Sequence, residues 1–140
     1  MIDTRTAPYA ALILRVSLGV MFIAHALLKI LVFTLPGAAQ FFGSVGLPEW
    51  LAYPVTAMEL AGGAMLIAGV WTRWVALALV PVLIGATSVH WSNGWLFTAQ
   101  NGGWEYPVFL TLAAIAQALL GDGAYALRAS APRASRLQHA

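Results

Sequence analysis

Six side chains stand out for the chemistry they could perform where they lie: Arg15, His25, Lys29, Glu59, His90 and Glu105. The first three fall within one long apolar stretch, Tyr9 to Leu35. Glu59 is the single charge of a second apolar stretch, Leu51 to about Trp71. Ionisable groups in hydrocarbon are costly, so they normally face a protein interior or a wet cavity and mark a functional site. A carboxylate placed there either takes a proton or finds a base. Lys29 or His25 can provide that base. A His–Glu or Lys–Glu pair could pass protons to and from a redox-active or acidic ligand. Glu59 and His25 are therefore the catalytic candidates, and Arg15, Lys29, His90 and Glu105 the substrate-binding ones.

Helical geometry groups them further. At 100° per residue, with Arg15 at zero, Lys29 falls near about −40° and His25 near about −80°. Phe22 shares the same arc. His25 lies ten residues before Leu35, about 15 Å in. Glu59 lies nine residues past Trp50, about 14 Å in from the same side. The two should share a level near the midplane, with Lys29 one turn further out and Arg15 below. His90 and Glu105 stand at the outer ends of their helices. Together they describe a polar pocket opening outward.

Four spans must position these groups. Pro8 suits a first helical turn, and Pro36-Gly37 should stop the first helix, giving 9–35. The remaining helices are expected at about 51–71, 74–90 and 105–120. Pro81 should kink the third, with Gly85 relieving the packing. Gly62, Gly63 and Gly69 let a neighbouring helix come close to the second. The last helix has sixteen residues, about 24 Å, which is short for a span. Residues 36–50, with two prolines and three glycines, read as a loop in which Ala38-Ala39-Gln40-Phe41-Phe42 makes a short interfacial turn. Residues 91–105 read as a second, amphipathic loop carrying Trp91, Trp95 and Trp104. Residues 1–127 form the expected transmembrane domain, and 128–140 a basic, disordered tail.

Composition agrees with a membrane chain and excludes other classes. Of 140 residues, 61% are hydrophobic and 9% charged, against roughly a quarter charged in ordinary globular chains. The net charge of +2 is too small to signal nucleic-acid binding. The absence of cysteine removes disulfides, direct thiol oxidation, c-type haem attachment and Cys-based metal sites. No metal-ligand motif is expected, and a haem between His25 and His90 is disfavoured because their depths differ. The first apolar run exceeds a signal-peptide core and has no clean cleavage site. Arg5, Arg15, Arg73 and the three tail arginines fall on one side of a four-span topology, and the two large loops carry no Lys or Arg. The positive-inside rule then places both termini in the cytoplasm.

Each candidate also has a purely structural role open to it. Arg15 and Lys29 could snorkel to headgroups. His25 could bond a backbone carbonyl. His90 and Glu105 could be solvated at the interface, and the six Trp residues are mostly belt anchors. Glu59 is the exception, because a midplane carboxylate has nowhere to snorkel.

The order of these motifs resembles the DoxX family of small four-helix bacterial membrane proteins. The resemblance runs from about Leu14 to Asp122. It rests on LRVSLGVMFIAHALLKI, FFGSVGLPEW, MELAGGAMLIAGVWTRW, His90, GGWEYP with Glu105, and Gly121-x-Gly123. The family often closes with Gly-Pro-Gly and an acidic segment; here Asp122 replaces the proline and Arg128 the acid. The resemblance implies an all-α, integral membrane four-helix bundle in the bacterial inner membrane, an oxidoreductase or redox-complex subunit that binds a quinone or small acidic substrate. Its partners would be membrane lipid and a redox subunit, with self-association open and no nucleic acid. The alternatives are a non-catalytic membrane adaptor or chaperone, or a small anionic-solute transporter.

Overall fold

The computed structural model describes residues 3–130. It is all-helical, with five α-helices: α1 (Ala7–Leu27), α2 (Leu35–Ser44), α3 (Ala52–Ala68), α4 (Thr72–His90) and α5 (Glu105–Leu120). Three helical stretches, Ala7–Val32, Glu49–Ala68 and Thr72–Asn93, are long and apolar enough to cross a membrane. The fourth, α5, has 16 residues and packs along α4 and α1. These four helices run up and down in chain order and close a ring, α1 on α3, α3 on α4, α4 on α5 and α5 on α1. The core between them is built from Leu18, Phe22, Leu66, Leu79 and Leu83, with Ala76 and Ala114 where helices come near. Large apolar side chains such as Ile13, Leu31, Phe109 and Leu119 point outward, as lipid-facing positions do.

Helix one does not run straight to its end. After Leu27 it widens into a π segment, Leu28–Val32, and Phe33 N–H donates to the Leu28 carbonyl at 3.1 Å. Thr34 then turns the chain with φ 62° and caps α2, its hydroxyl accepting from Gly37 N–H at 3.3 Å. Residues 36–50 are therefore not a plain loop. Pro36 sits in the first turn of α2, where a missing N–H is harmless, instead of merely ending α1. Gly46, with φ 82°, closes α2: Leu47 N–H reaches the Phe42 carbonyl and Gly46 N–H that of Gly43. Ala38 and Ala39 of α2 pack against Ala52, which seats this helix over the start of α3.

The glycines set the helix spacing. A Cβ on Gly19 would stand 2.6 Å from the Gly63 carbonyl oxygen, and one on Gly63 would stand 2.7 Å from that of Gly19. The α1 and α3 backbones therefore touch at this point. Gly62 faces Leu79 of α4 on the adjacent side. Gly85, in contrast, faces open space, so it does not relieve any helix contact near Pro81. Pro81 itself lies within the continuous helix α4.

The end of the bundle where α1 begins and α3 closes (the inner end, the opposite one being the outer) is tied by Arg15 and by the residues after α5. Arg15 is 1% exposed. Its guanidinium donates to the carbonyls of Leu66 (3.0 Å), Ile67 (2.8 Å) and Ala124 (2.8 Å). The first two belong to the last turn of α3, where carbonyls carry the negative end of the dipole; the Leu66 carbonyl also accepts from Gly69 N–H at 3.2 Å. Ala124 N–H donates to the Pro8 carbonyl, and Leu127 and Arg128 pair with Ala68, Gly69 and Trp71. Asp122 accepts from both the backbone N–H and hydroxyl of Ser130. Residues 128–130 of the expected tail belong to this knot; residues 131–140 lie outside the described residues.

Two outcomes check this packing. Gly63→Val should destabilise the detergent-solubilised protein by roughly 1–3 kcal/mol, the cost of an overpacked site, while Gly85→Ala should be neutral or slightly stabilising. Arg15→Met should cost about 2 kcal/mol or more, since each bond from a charged donor contributes roughly 1.5–3 kcal/mol. Arg15→Lys should recover only part of that loss, because an ammonium cannot span the three carbonyls as a planar fork does. Tryptophan-monitored thermal unfolding reads all four.

Candidate functional site

The structure joins Lys29 of α1's π segment to Glu59 of α3. Lys29 Nζ donates to Oε1 at 2.9 Å and Oε2 at 2.7 Å. The side chains are 18% and 7% exposed, so the pair is largely closed off inside the helices. Two features of helix geometry bring it about. Side chains lean toward their own helix N-terminus, and α1 and α3 run in opposite directions. Lys29 therefore leans inward and Glu59 outward, and they meet above the Gly19–Gly63 contact. The π segment adds a wide turn at Lys29, a local geometry often found at functional sites.

His25 stands one turn below Lys29 but looks elsewhere. Its Nδ1 lies 2.8 Å from the Met21 carbonyl and so carries the proton that it donates there. Its ring stacks on Tyr106 of α5, with centroids 6.1 Å apart and planes at 23°. Among the described residues, the base bonded to Glu59 is thus Lys29. Tyr106 escaped the sequence reading. Its signal was its place beside Glu105 in the first turn of α5, on the same outer level as the polar end of α1.

Arg15 shares the arc of Lys29 and His25 on α1 but not their depth. Fourteen residues, about 21 Å of rise, separate it from Lys29. Its guanidinium is committed to backbone carbonyls at the opposite end, with Nε left unpartnered. It does not join the ion pair. The described geometry makes it a clamp of the inner end, not a group facing the Lys29–Glu59 level.

His90 and Glu105 organise the outer loop. His90 Nδ1 lies 3.0 Å from the Asn101 carbonyl and 3.2 Å from that of Gly102. Asn93 Nδ2 donates to the same two carbonyls, at 3.2 and 2.8 Å. Glu105 Oε1 accepts from Phe97 N–H at 2.9 Å. Trp104 packs between Trp91, stacked at 4.8 Å, and Trp95, edge-on at 4.6 Å. Gly103 is needed beneath them, because a Cβ there would strike the carbonyls of Trp95 and Leu96.

Two cavities bear on binding. One, of about 540 Å³, lies at the outer end between the close of α2 and the close of α4, with His90 in its wall. The other, of about 530 Å³, lies at the inner end beside Trp71 and Trp74. Neither has Lys29, His25 or Glu59 in its wall. The six candidates therefore divide three ways: an ion pair with His25 close by, an inner clamp, and an outer loop that walls a cavity.

Comparisons with known proteins agree with one another. The DoxX family model matches residues 10–91, which takes in α1 to α4. A protein of Bacillus subtilis (strain 168) named "Putative oxidoreductase CatD" is 38% identical over 116 residues, 83% of this chain and 82% of the relative. No solved structure matches the chain. With the Gly19–Gly63 contact, the Lys29–Glu59 pair and the Trp71-Thr72-Arg73-Trp74 turn all inside the matched segment, the chain belongs to the DoxX family.

Proposed function

We propose that this protein is a redox-linked membrane protein, an oxidoreductase or a subunit of a redox complex, in which Lys29 and Glu59 receive a quinone or small acidic substrate. The observation that carries the reading is the doubly bonded Lys29–Glu59 pair within otherwise apolar spans. The name of the Bacillus subtilis relative and the family membership support the redox class. A quinone or carboxylate offers the oxygen that an ammonium recognises. Such an oxygen arriving at Lys29 competes with Glu59 for the same Nζ. Deprived of its partner in a medium of low dielectric, Glu59 takes up a proton. Binding and proton uptake are then one event on this chain. In this reading His25 would serve that proton only indirectly, since its Nδ1 is held by Met21 and its ring lies against Tyr106. A quinone would supply its own two-electron chemistry. With no cysteine in the chain, a small acidic substrate would need a partner subunit for electrons.

The same reading places the protein in a bacterial inner membrane with both termini cytoplasmic. Arg5, Arg73 and Arg128 stand at the end of the bundle where α1 begins and α3 closes, and Lys29 stands toward the other.

A second reading has its own support. A buried pair whose members satisfy each other can serve packing alone, as in a membrane adaptor. One experiment separates the two. Purified protein in detergent is titrated with a short-chain benzoquinone and with benzoate while a pH-indicator dye follows proton uptake. The redox reading expects binding accompanied by proton uptake, binding weakened about tenfold or more in Lys29→Met, and uptake abolished in Glu59→Gln. Binding without proton uptake, or a Lys29→Leu/Glu59→Leu double variant that restores stability and retains full binding, overturns it in favour of packing.

A further inference from the structure

We propose that the inner cavity, a groove along the first turns of α4, binds one anionic phospholipid of the surrounding bilayer. The acyl chain lies along the helix and the phosphate sits beside Arg128. The inference is independent of the role given to Lys29 and Glu59, because neither residue borders this groove.

The groove measures about 530 Å³, within the range of roughly 300–1,000 Å³ for small-molecule sites. Trp71 and Trp74 form its sides, and Val75 and Ala78 its floor. Ser130 lies where α4 begins, its Oγ accepting from Arg73 N–H at 3.0 Å. Both indoles are exposed, yet both are held. Trp74 Nε1 donates to the Ser130 carbonyl at 3.4 Å, and Arg128 lies 4.7 Å from the centroid of the Trp71 ring. Exposed indoles at the end of a span mark the level of the lipid headgroups.

Helix geometry carries the floor toward the middle of the bilayer. At 100° per residue, with Trp71 at zero, Val75 falls near about 40°, Ala78 near about −20°, Val82 near about 20° and Gly85 near about −40°. At Gly85 a Cβ would meet nothing within 4 Å. From Trp71 to Gly85 the rise is about 21 Å, enough to carry one acyl chain through its leaflet, half of a core about 30 Å thick.

Charge selects the headgroup. Arg128 is exposed and, among the described residues, makes no salt bridge. A guanidinium so placed takes a phosphate through two parallel N–H bonds. No Asp or Glu borders the groove, and Asp122 bonds Ser130 without lining it. A choline group would therefore meet no counter-charge, whereas a headgroup without a cation loses nothing. Arg73 serves as the internal control. It points round α4, with Nη2 3.5 Å from the place that a Cβ on Gly121 would take, and about 200° from Trp71 on the helix. A cation fixed at the groove and a cation of the general surface are thus separable.

The test follows lipid binding to the full chain in detergent by native mass spectrometry, with phosphatidylglycerol and phosphatidylcholine of the same acyl chains as probes. One phosphatidylglycerol should bind at least about tenfold more tightly than phosphatidylcholine, a difference of about 1.4 kcal/mol. Arg128→Gln should weaken its binding about fivefold, the effect of one cation beside an anionic headgroup. Arg128→Lys should keep part of the affinity, and Arg73→Gln should leave it nearly unchanged. Ala78→Phe fills the floor at an exposed position, so it should weaken both lipids with the thermal midpoint held. An excess of inorganic phosphate should not displace the bound lipid. Equal binding of the two lipids, equal losses in Arg73→Gln and Arg128→Gln, or full binding in Ala78→Phe would overturn the proposal. So would displacement by inorganic phosphate, which assigns the site to a free anion, or a stable dimer that Ala78→Phe dissolves, which assigns the groove to a second copy. Glu59→Gln should leave lipid binding unchanged, which keeps the outcome separate from that of the ion pair.

Discussion

The backbone contact between α1 and α3 at Gly19 and Gly63 is the constraint on which the remaining arrangement depends. In lipid there is little hydrophobic force to bring helices together; close packing and polar contacts must do it. Two glycines facing each other let the helix axes approach until side chains above and below can cross from one helix to the other. Above, Lys29 reaches Glu59. Below, Arg15 reaches the carbonyls of Leu66 and Ile67 in the last turn of α3. Each clamp needs the short spacing, and each in turn holds it. A wider gap would leave an ammonium, a carboxylate and a guanidinium without partners at once.

The two ends of the bundle then differ in character. At the inner end the chain is tied by Arg15, by the Asp122–Ser130 bonds and by the backbone pairing of residues 127 and 128 with 68, 69 and 71, although Arg15 Nε, Thr72 Oγ1 and Gln117 Oε1 are buried there without partners. Arg128 lies over the Trp71 ring at 4.7 Å and adds to the closure. At the outer end the groups are arranged but not exhausted. Lys29 and Glu59 bond each other, and among the described residues nothing donates to Nε2 of His25 or of His90.

The sequence made the spans legible because hydropathy and length need no tertiary information. The meeting of a base from the first span with Glu59 was legible too, because counting residues from the membrane edge places both near one level. The identity of the base was less so. His25 and Lys29 differ by about 40° on a regular helix, and the π segment that widens the turn at Lys29 has no residue signature. Arg15 misled for a different cause: its arc matched the others, but its partners are backbone carbonyls, which any residue could supply. The same holds for His90 and Glu105, whose contacts are with main-chain groups of a loop. Helix α2 was hidden by Pro36 and Gly37, which read as breakers but fit a first turn once Thr34 caps it.

Arg15 takes one of its three carbonyls from Ala124, 109 residues further along the chain. A ribosome finishes α1 long before that acceptor exists. Helix α1 therefore carries a charge whose third acceptor is made only after all the other described helices. Two of its acceptors arrive with α3, and the clamp is complete only once the stretch beyond α5 folds back over α1.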